Sequence, residues 1–282
     1  YEDNSNFDGY ANSIYTIAVA ALERSGIASD YSEPGANILI TAPSGDRDTV
    51  GTVTTDRTGT AGYNTVSTAS GGDYYTRFDG TSSATPVVSG VVAMVLQKNP
   101  NLGWRDVQEI LFSSATKVVP SDTGWKVNGA GFSFHHQFGG GLVNATAAVN
   151  MAETWVNLPA QTSISSTQDD EVTIPNNNAT GASKTFTFSE MNHRVEAVTV
   201  QLSATHSARG NLAITLTSPS GTVSRLTEVR TDNVANYSWK FSSVHNWGES
   251  AYGTWTVKVA DLSSTGNTAG GTLNSVTLTL FG

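Results

Sequence analysis

The sequence predicts an α/β domain followed by an all-β sandwich. Three observations carry that prediction. Apolar, β-branched runs alternate with helix-patterned segments through about residue 154, which is the signature of strands and helices in alternation. Beyond that point the period changes to two: Val198, Val200 and Leu202 alternate with polar residues, as do Leu212, Ile214 and Leu216. Finally, the chain is glycine-rich, with 27 Gly, and only 14% charged against a norm of roughly 25%. A length of 282 residues is enough for two cores, and the boundary is placed to give domains at 1–154 and 155–282.

In chain order, residues 13–21 form an apolar run expected to be a buried strand of a parallel sheet. Residues 37–41 form a second, ended by the turn Ala42-Pro43-Ser44-Gly45. Residues 46–79 are polar and rich in Thr and Gly, and are expected to be loop and hairpin. A buried helix is expected from Ser82 to about Leu96, with Pro86 near its start, where a missing N–H costs little. A second helix is expected over 102–114, with Trp104, Val107, Ile110 and Leu111 on one face. A glycine turn at 139–141 leads to a short helix ending near Ala152. The second domain reads as an antiparallel sandwich, with turns at Ser218-Pro219-Ser220-Gly221 and Asn246-Trp247-Gly248.

Gly80-Thr81-Ser82-Ser83-Ala84-Thr85-Pro86 is the stretch with chemical potential. A serine at a helix N-terminus sits beside unpaired N–H groups and a partial positive charge. An oxyanion formed by attack of its hydroxyl would find the Ser82 N–H already in place. Read on its own, the same stretch is equally a capped core helix, because Ser and Thr are common caps.

The stretch resembles the G-T-S-x-A-x-P signature of subtilisin-like serine proteases, in which the first Ser is the nucleophile. Asn99-Pro100-Asn101-Leu102-Gly103-Trp104-Arg105-Asp106-Val107-Gln108 is similar to the continuation in the kexin and furin branch. Asn6-Phe7-Asp8-Gly9-Tyr10-Ala11-Asn12-Ser13-Ile14-Tyr15 resembles that branch's N-x-D-G-Y-T-N-S-I-Y, where the Asp reads a basic P1 side chain. Asp3 and Glu33 match two carboxylates that hold a Ca2+ ion near S1 in the family, while Ala11 replaces a Thr that binds a second ion. In the second domain, Gly210-Asn211-Leu212-Ala213-Ile214-Thr215-Leu216-Thr217-Ser218-Pro219-Ser220-Gly221-Thr222 resembles a block of the convertase P domain. So do residues 241–249 and 253–257. The resemblance implies that 1–154 is the C-terminal portion of a subtilisin-like peptidase domain and 155–282 a jelly-roll P domain.

The implied function is a secreted, calcium-dependent endopeptidase cleaving after Arg or Lys through an acyl-enzyme. In that family the order along the chain is Asp, His, Ser. All five histidines here, His135, His136, His193, His206 and His245, follow Ser82, so none matches the family's base. The catalytic Asp, His and oxyanion Asn are expected upstream of Tyr1, on a part of the same protease that is this chain's implied partner. His135 and His136 are expected to make structural hydrogen bonds near the domain junction, and the three sandwich histidines to be ordinary surface or turn residues. The chain opens Tyr1-Glu2-Asp3-Asn4, without an initiator Met, a basic start or an apolar core, so residue 1 is expected to be a processing or truncation point.

A net charge of −9 argues against nucleic acid or anionic membrane as a partner and is compatible with basic substrates and cations. Zero Cys excludes disulfides and thiolate metal sites. No apolar run reaches the roughly 18 residues a membrane helix needs. A hydrolase with the order Ser, Asp, His would need a G-x-S-x-G elbow, and Gly80-Thr81-Ser82-Ser83-Ala84 lacks the second Gly. A catalytically inert chain carrying a binding sandwich is the remaining alternative; its aromatics, Tyr237, Trp239, Trp247, Tyr252 and Trp255, mostly fall at strand spacing and read as core.

Overall fold

The computed structural model describes residues 3–45, 51–65, 72–262 and 270–282. In the first half, β1 (Ala18–Leu22) and β2 (Ile38–Pro43) pair in parallel, with Val19 opposite Ile40 and Leu22 opposite Pro43. Ile38 to Ala42 of β2 are all buried, as expected of a strand covered on both faces. The first strand starts at Ala18 rather than at residue 13. Residues 10–16 curl into turns instead: Ser13 N–H donates to Tyr10 O, and the Thr16 hydroxyl donates to Tyr10 O at 2.8 Å. Local hydroxyl bonds of this kind compete successfully with strand formation.

A hairpin follows, β3 (Thr52–Thr55) with β4 (Tyr74–Phe78). The rest of the 46–79 stretch includes 46–50 and 66–71, which lie outside the described residues. Helix α1 (Thr81–Lys98) packs Ala84, Val88, Val91 and Val95 against the sheet. Its other side, with Ser89, Gly90, Ala93, Met94 and Leu96, is exposed, so the helix is half-buried and not the buried rod its composition predicts. Pro86 is the sixth residue of α1, not one of the first. Its missing N–H leaves the Ser82 carbonyl without the usual donor four residues on.

Helix α2 (Trp104–Ser114) buries Val107, Ile110 and Leu111. Trp104, expected on that face, is 43% exposed and meets Tyr15 ring to ring at 5.4 Å. A two-residue ladder, β5 (Lys126–Val127) with β6 (Ser133–Phe134), precedes α3 (Ala145–Glu153), which Asn144 caps by accepting from Ala147 N–H at 3.0 Å.

The second half is the antiparallel sandwich the period-two pattern predicts. Its strands are β7 (Ser163–Gln168), β8 (Val172–Ile174), β9 (Ala182–Phe188), β10 (Ala197–Thr205), β11 (Leu212–Thr217), β12 (Val223–Thr227), β13 (Tyr237–Ser243), β14 (Gly253–Asp261) and β15 (Gly271–Phe281). One sheet runs β13-β10-β15-β7 with β8 also on β15, and the other runs β12-β11-β14-β9. Inward residues alternate along β9 and β11, and Phe186, Leu202, Ile214, Phe241, Trp255 and Leu278 meet between the sheets.

The two halves share their cores. Trp247, in the turn after β13, is fully buried in the first half's cluster, 5.8 Å from Phe112. Phe7 reaches the other way and packs on Tyr237, Trp239 and Phe241. Charge pairs cross as well, two of them from α2. Arg105 of α2 donates to Glu196 at 2.6 and 2.5 Å, and Arg194 donates to Glu109 of α2 at 2.9 and 2.6 Å.

Candidate active site

Ser82 owes its position to one glycine. Gly80, the residue before α1, has φ +78° and ψ 168°, a conformation that side chains disfavour. It turns the chain sharply from β4 into the helix and places Ser82 second in α1. Among the described residues no side chain caps this helix; Ser83 N–H donates to Gly80 O at 2.9 Å, and the Ser82 N–H ahead of it lies in the uncapped first turn. The turn is held from beneath. The Ser44 hydroxyl donates to Gly80 O at 2.8 Å, Tyr31 Oη lies 2.9 Å from Ser44 Oγ, and the Ser83 hydroxyl donates to Thr52 Oγ1 at 2.7 Å. Ser82 itself is exposed and makes no side-chain hydrogen bond among the described residues. An unbonded, exposed hydroxyl on a fixed turn at a helix N-terminus is an arrangement that can serve nucleophilic attack.

The acidic segment is stitched to the sandwich. β13 is an edge strand, and its outward backbone groups are covered by asparagines: Asn6 Nδ2 donates to Ser242 O, Ser242 N–H donates to Asn6 Oδ1, and Asn12 Nδ2 donates to Lys240 O. Two side chains thus do for this edge what a further strand would do. Between them, Asp8 is exposed, and its carboxylate accepts from the Tyr10 and Ala11 N–H groups at 2.7 and 3.0 Å. Asp8 therefore builds an Asx turn, and it also lines a cleft of about 430 Å3 together with Glu33, Tyr31, Thr81 and Thr85. That cleft puts the acid stretch beside the first turns of the serine helix.

Glu33 is half-buried, and burial, followed by the negative charges of Asp3 and Asp8, raises its carboxyl above the ordinary value. Carboxylates that repel one another in a partly dry place suit a hard cation with oxygen ligands. Asp3 is already engaged: Arg230 Nη1 lies 3.0 and 2.9 Å from its two oxygens. No group of three or more metal-ligating side chains comes together among the described residues.

Among the described residues no histidine hydrogen-bonds to Ser82. His135 and His136 line a cavity at the junction of the halves. His135 Nε2 is 3.5 Å from Asp122 Oδ1, yet burial outweighs that contact and holds its pKa below the usual range. His136 Nε2 is 2.6 Å from Glu228 Oε1. The sandwich histidines were expected at the surface or in turns; His245 does lie in a turn, but it and His206 are buried. His206 is buried against Asp261, with Nε2 3.2 Å from Oδ2, and His245 is buried beside Phe134, its pKa driven well down by desolvation. Packing explains both: β-strand ends fold these imidazoles inward, which the sequence pattern does not reveal.

The profile described as "Subtilase family" matches residues 2–141, and the one described as "Proprotein convertase P-domain" matches 195–280. The chain belongs to the subtilase family, in its kexin-like, proprotein-convertase branch. It is similar to "Proprotein convertase subtilisin/kexin type 7" of Homo sapiens, 35% identical over 293 residues, covering all of this chain and 36% of the relative. It is also similar to "PC3-like endoprotease variant B" of Hydra vulgaris, 34% identical over 272 residues, covering 92% of this chain and 36% of the relative. The chain thus spans about a third of these relatives' length. Among solved structures, the serine protease of Aeromonas sobria is 28% identical with a TM-score of 0.92, over 99% of this chain and 59% of that one. The fold is that of the C-terminal part of a subtilase peptidase domain followed by a P domain.

Sequence reasoning missed the P-domain side of the site. Arg230 meets Asp3 across 227 positions, and no local pattern in Glu228-Val229-Arg230-Thr231-Asp232 signals it. Asn6 and Asn12 lay within the convertase-like stretch, but their task of closing the β13 edge has no sequence signature.

Proposed function

We propose that this chain is the C-terminal part of a secreted serine endopeptidase that cleaves after Arg or Lys. The observation that carries the proposal is the cleft that Asp8 lines, which opens beside the turn bearing Ser82. Ser82 Oγ attacks the carbonyl carbon of the scissile bond, and its proton passes to a histidine base supplied by the upstream part of the same protease. The negative charge that develops on the carbonyl oxygen is met by the Ser82 N–H at the start of α1, with an upstream asparagine as the second donor. The amine leaves with a proton from the histidine, and water then attacks the acyl-enzyme and restores Ser82. Before that, a substrate Arg or Lys enters beside Asp8, whose carboxylate is held still by two backbone amides. A neutral side chain there would leave that carboxylate unpaired, and this gives the selection.

Asp3 and Glu33 are the residues of this chain that would hold Ca2+. The raised Glu33 carboxyl beside the charges of Asp3 and Asp8 supports that reading. The ion would supply positive charge and fix the acid segment. The exposed side of α1, with Met94 44% and Leu96 37% exposed, is the surface on which the upstream part would pack. By itself the 282-residue chain is expected to be inactive, because it has no histidine at Ser82. The test is labelling with a serine-directed phosphonate. Ser82 should react in the enzyme with its complete peptidase domain and stay unmodified in this chain alone. Labelling of another serine, with Ser82 untouched, would overturn the proposal.

A further inference from the structure

Arg230 belongs to the P domain, yet its guanidinium reaches the acid segment of the peptidase half. It touches both oxygens of Asp3 at 3.0 and 2.9 Å, and its carbon lies 3.6 Å from the centre of the Phe7 ring, one residue before Asp8. Its second nitrogen is bound by Asp232, which Arg209 also grips at 2.7 Å. Arg230 is thus fixed from behind by its own domain, and its side chain is only 14% exposed. Phe7 in turn is wedged among Tyr237, Trp239 and Phe241, so the P domain holds this segment by ring packing as well as by charge.

We propose that Arg230 is a tethered cation that competes with calcium for Asp3 and so sets the calcium concentration at which the S1 edge becomes ordered. The proposal rests on the calcium reading given above. A guanidinium beside Asp3 neutralises the same charge that would draw in a divalent ion, and the two positive groups repel. The coupling is reciprocal: whatever the arginine takes from the ion's affinity, the ion takes from the arginine's hold. Arg230 is a positioning residue, because it touches Asp3 and Phe7 and not the reacting bond. A purely structural arginine would stabilise the enzyme equally with and without the ion, whereas a competitor would not.

The experiment uses the enzyme with its complete peptidase domain. Calcium is titrated by calorimetry and, separately, by the rise in melting temperature, for wild type, Arg230→Met and Arg230→Lys. Arg230→Met keeps apolar contact with Phe7 and removes the charge. Its calcium midpoint should fall about five- to tenfold, the low end of usual couplings because Asp3 is partly exposed. Arg230→Lys should stay near wild type. In an Asp3→Asn background, which lacks the contested charge, Arg230→Met should leave the midpoint of any residual calcium response unmoved. Should Arg230→Met not fold, Arg230→Gln makes the same comparison. A wild type that responds to calcium while the Met variant's midpoint stays fixed or rises would overturn this proposal alone. A wild type that neither binds nor responds to calcium would overturn the calcium reading and this proposal with it.

Discussion

Glu196 is the residue whose loss should separate the two halves most sharply. Its side chain is 4% exposed and receives two bonds from Arg105, itself 8% exposed, at 2.6 and 2.5 Å. Arg194 adds a second cation at 3.9 Å. Changing Glu196 to Gln keeps one amide oxygen but removes the negative charge, so the buried Arg105 guanidinium is left with neutral acceptors, that oxygen and the Pro159 carbonyl at 2.6 Å. Removing one partner of a buried ion pair typically costs about 3–5 kcal/mol, most of it the penalty of a stranded charge. Replacing both partners, Arg105→Met with Glu196→Leu, should cost far less, since neither charge is left behind. The assay is urea unfolding of the complete enzyme and of the two variants, followed by near-ultraviolet circular dichroism. Salt should change the Glu196→Gln result little, because water and ions do not reach the pair. A single variant costing under about 1 kcal/mol, or a double variant as damaging as the single, would refute the reasoning that this pair is dry and mutually dependent.

Two further outcomes are expected. Ser82→Ala in the complete enzyme should lower kcat by about a millionfold, the loss recorded for the nucleophile of subtilisin, a relative by family; a loss below about a hundredfold, on the scale of a lone oxyanion donor, would point to another nucleophile. Glu33 should make chelation pH-dependent. Its carboxyl is raised by burial and by Asp3 and Asp8, so without a cation its contribution to stability is fully present below the ordinary value of 4.5 and is lost as pH rises through the raised value. The gap in melting temperature between calcium and chelator should therefore widen from pH 4 to pH 7 and shrink in Glu33→Gln; a gap that is flat with pH, or indifferent to Glu33→Gln, would count against the site.

Both fold classes were legible because the hydrophobic pattern changes between the halves, from apolar runs alternating with helix-patterned segments to a period of two. Leu212, Ile214 and Leu216 face the sandwich core as their alternation demands, and Val88, Val91 and Val95 mark the buried side of α1. Ser82 and Asp8 were legible as motifs, since a serine turn needs its glycine and an acid turn needs its amides within a few positions. What the pattern could not show is long-range pairing. Trp247 reads as a turn residue and is a core residue of the other half. His206 and His245 read as surface or turn residues, and although His245 does lie in a turn, both are buried. The start of β1 was misplaced because Thr16 and Ser13 hydroxyls favour turns over the strand their neighbours' β-branching suggests. The half-exposed α1 departs from the apolar run at residues 87–96, which describes a helix covered on all sides.

The central claim is that Ser82 cuts where Asp8 reads a basic side chain, and the most direct measurement is kcat/KM on peptides that differ only at P1. Asp8→Asn keeps an oxygen for the Tyr10 and Ala11 amides, so the turn should survive while the charge is lost. Asp8 is exposed in this chain, and a substrate side chain seated on it would cover the carboxylate; breaking a charge pair desolvated in that way typically costs about 2–5 kcal/mol, which is on the order of 30- to several-thousand-fold in kcat/KM. Cleavage after Arg and Lys should fall by that factor, and cleavage after a neutral P1 should hold or rise. An Asp8→Asn enzyme that kept its full preference for Arg would contradict the account and leave Asp8 as the acid of a turn.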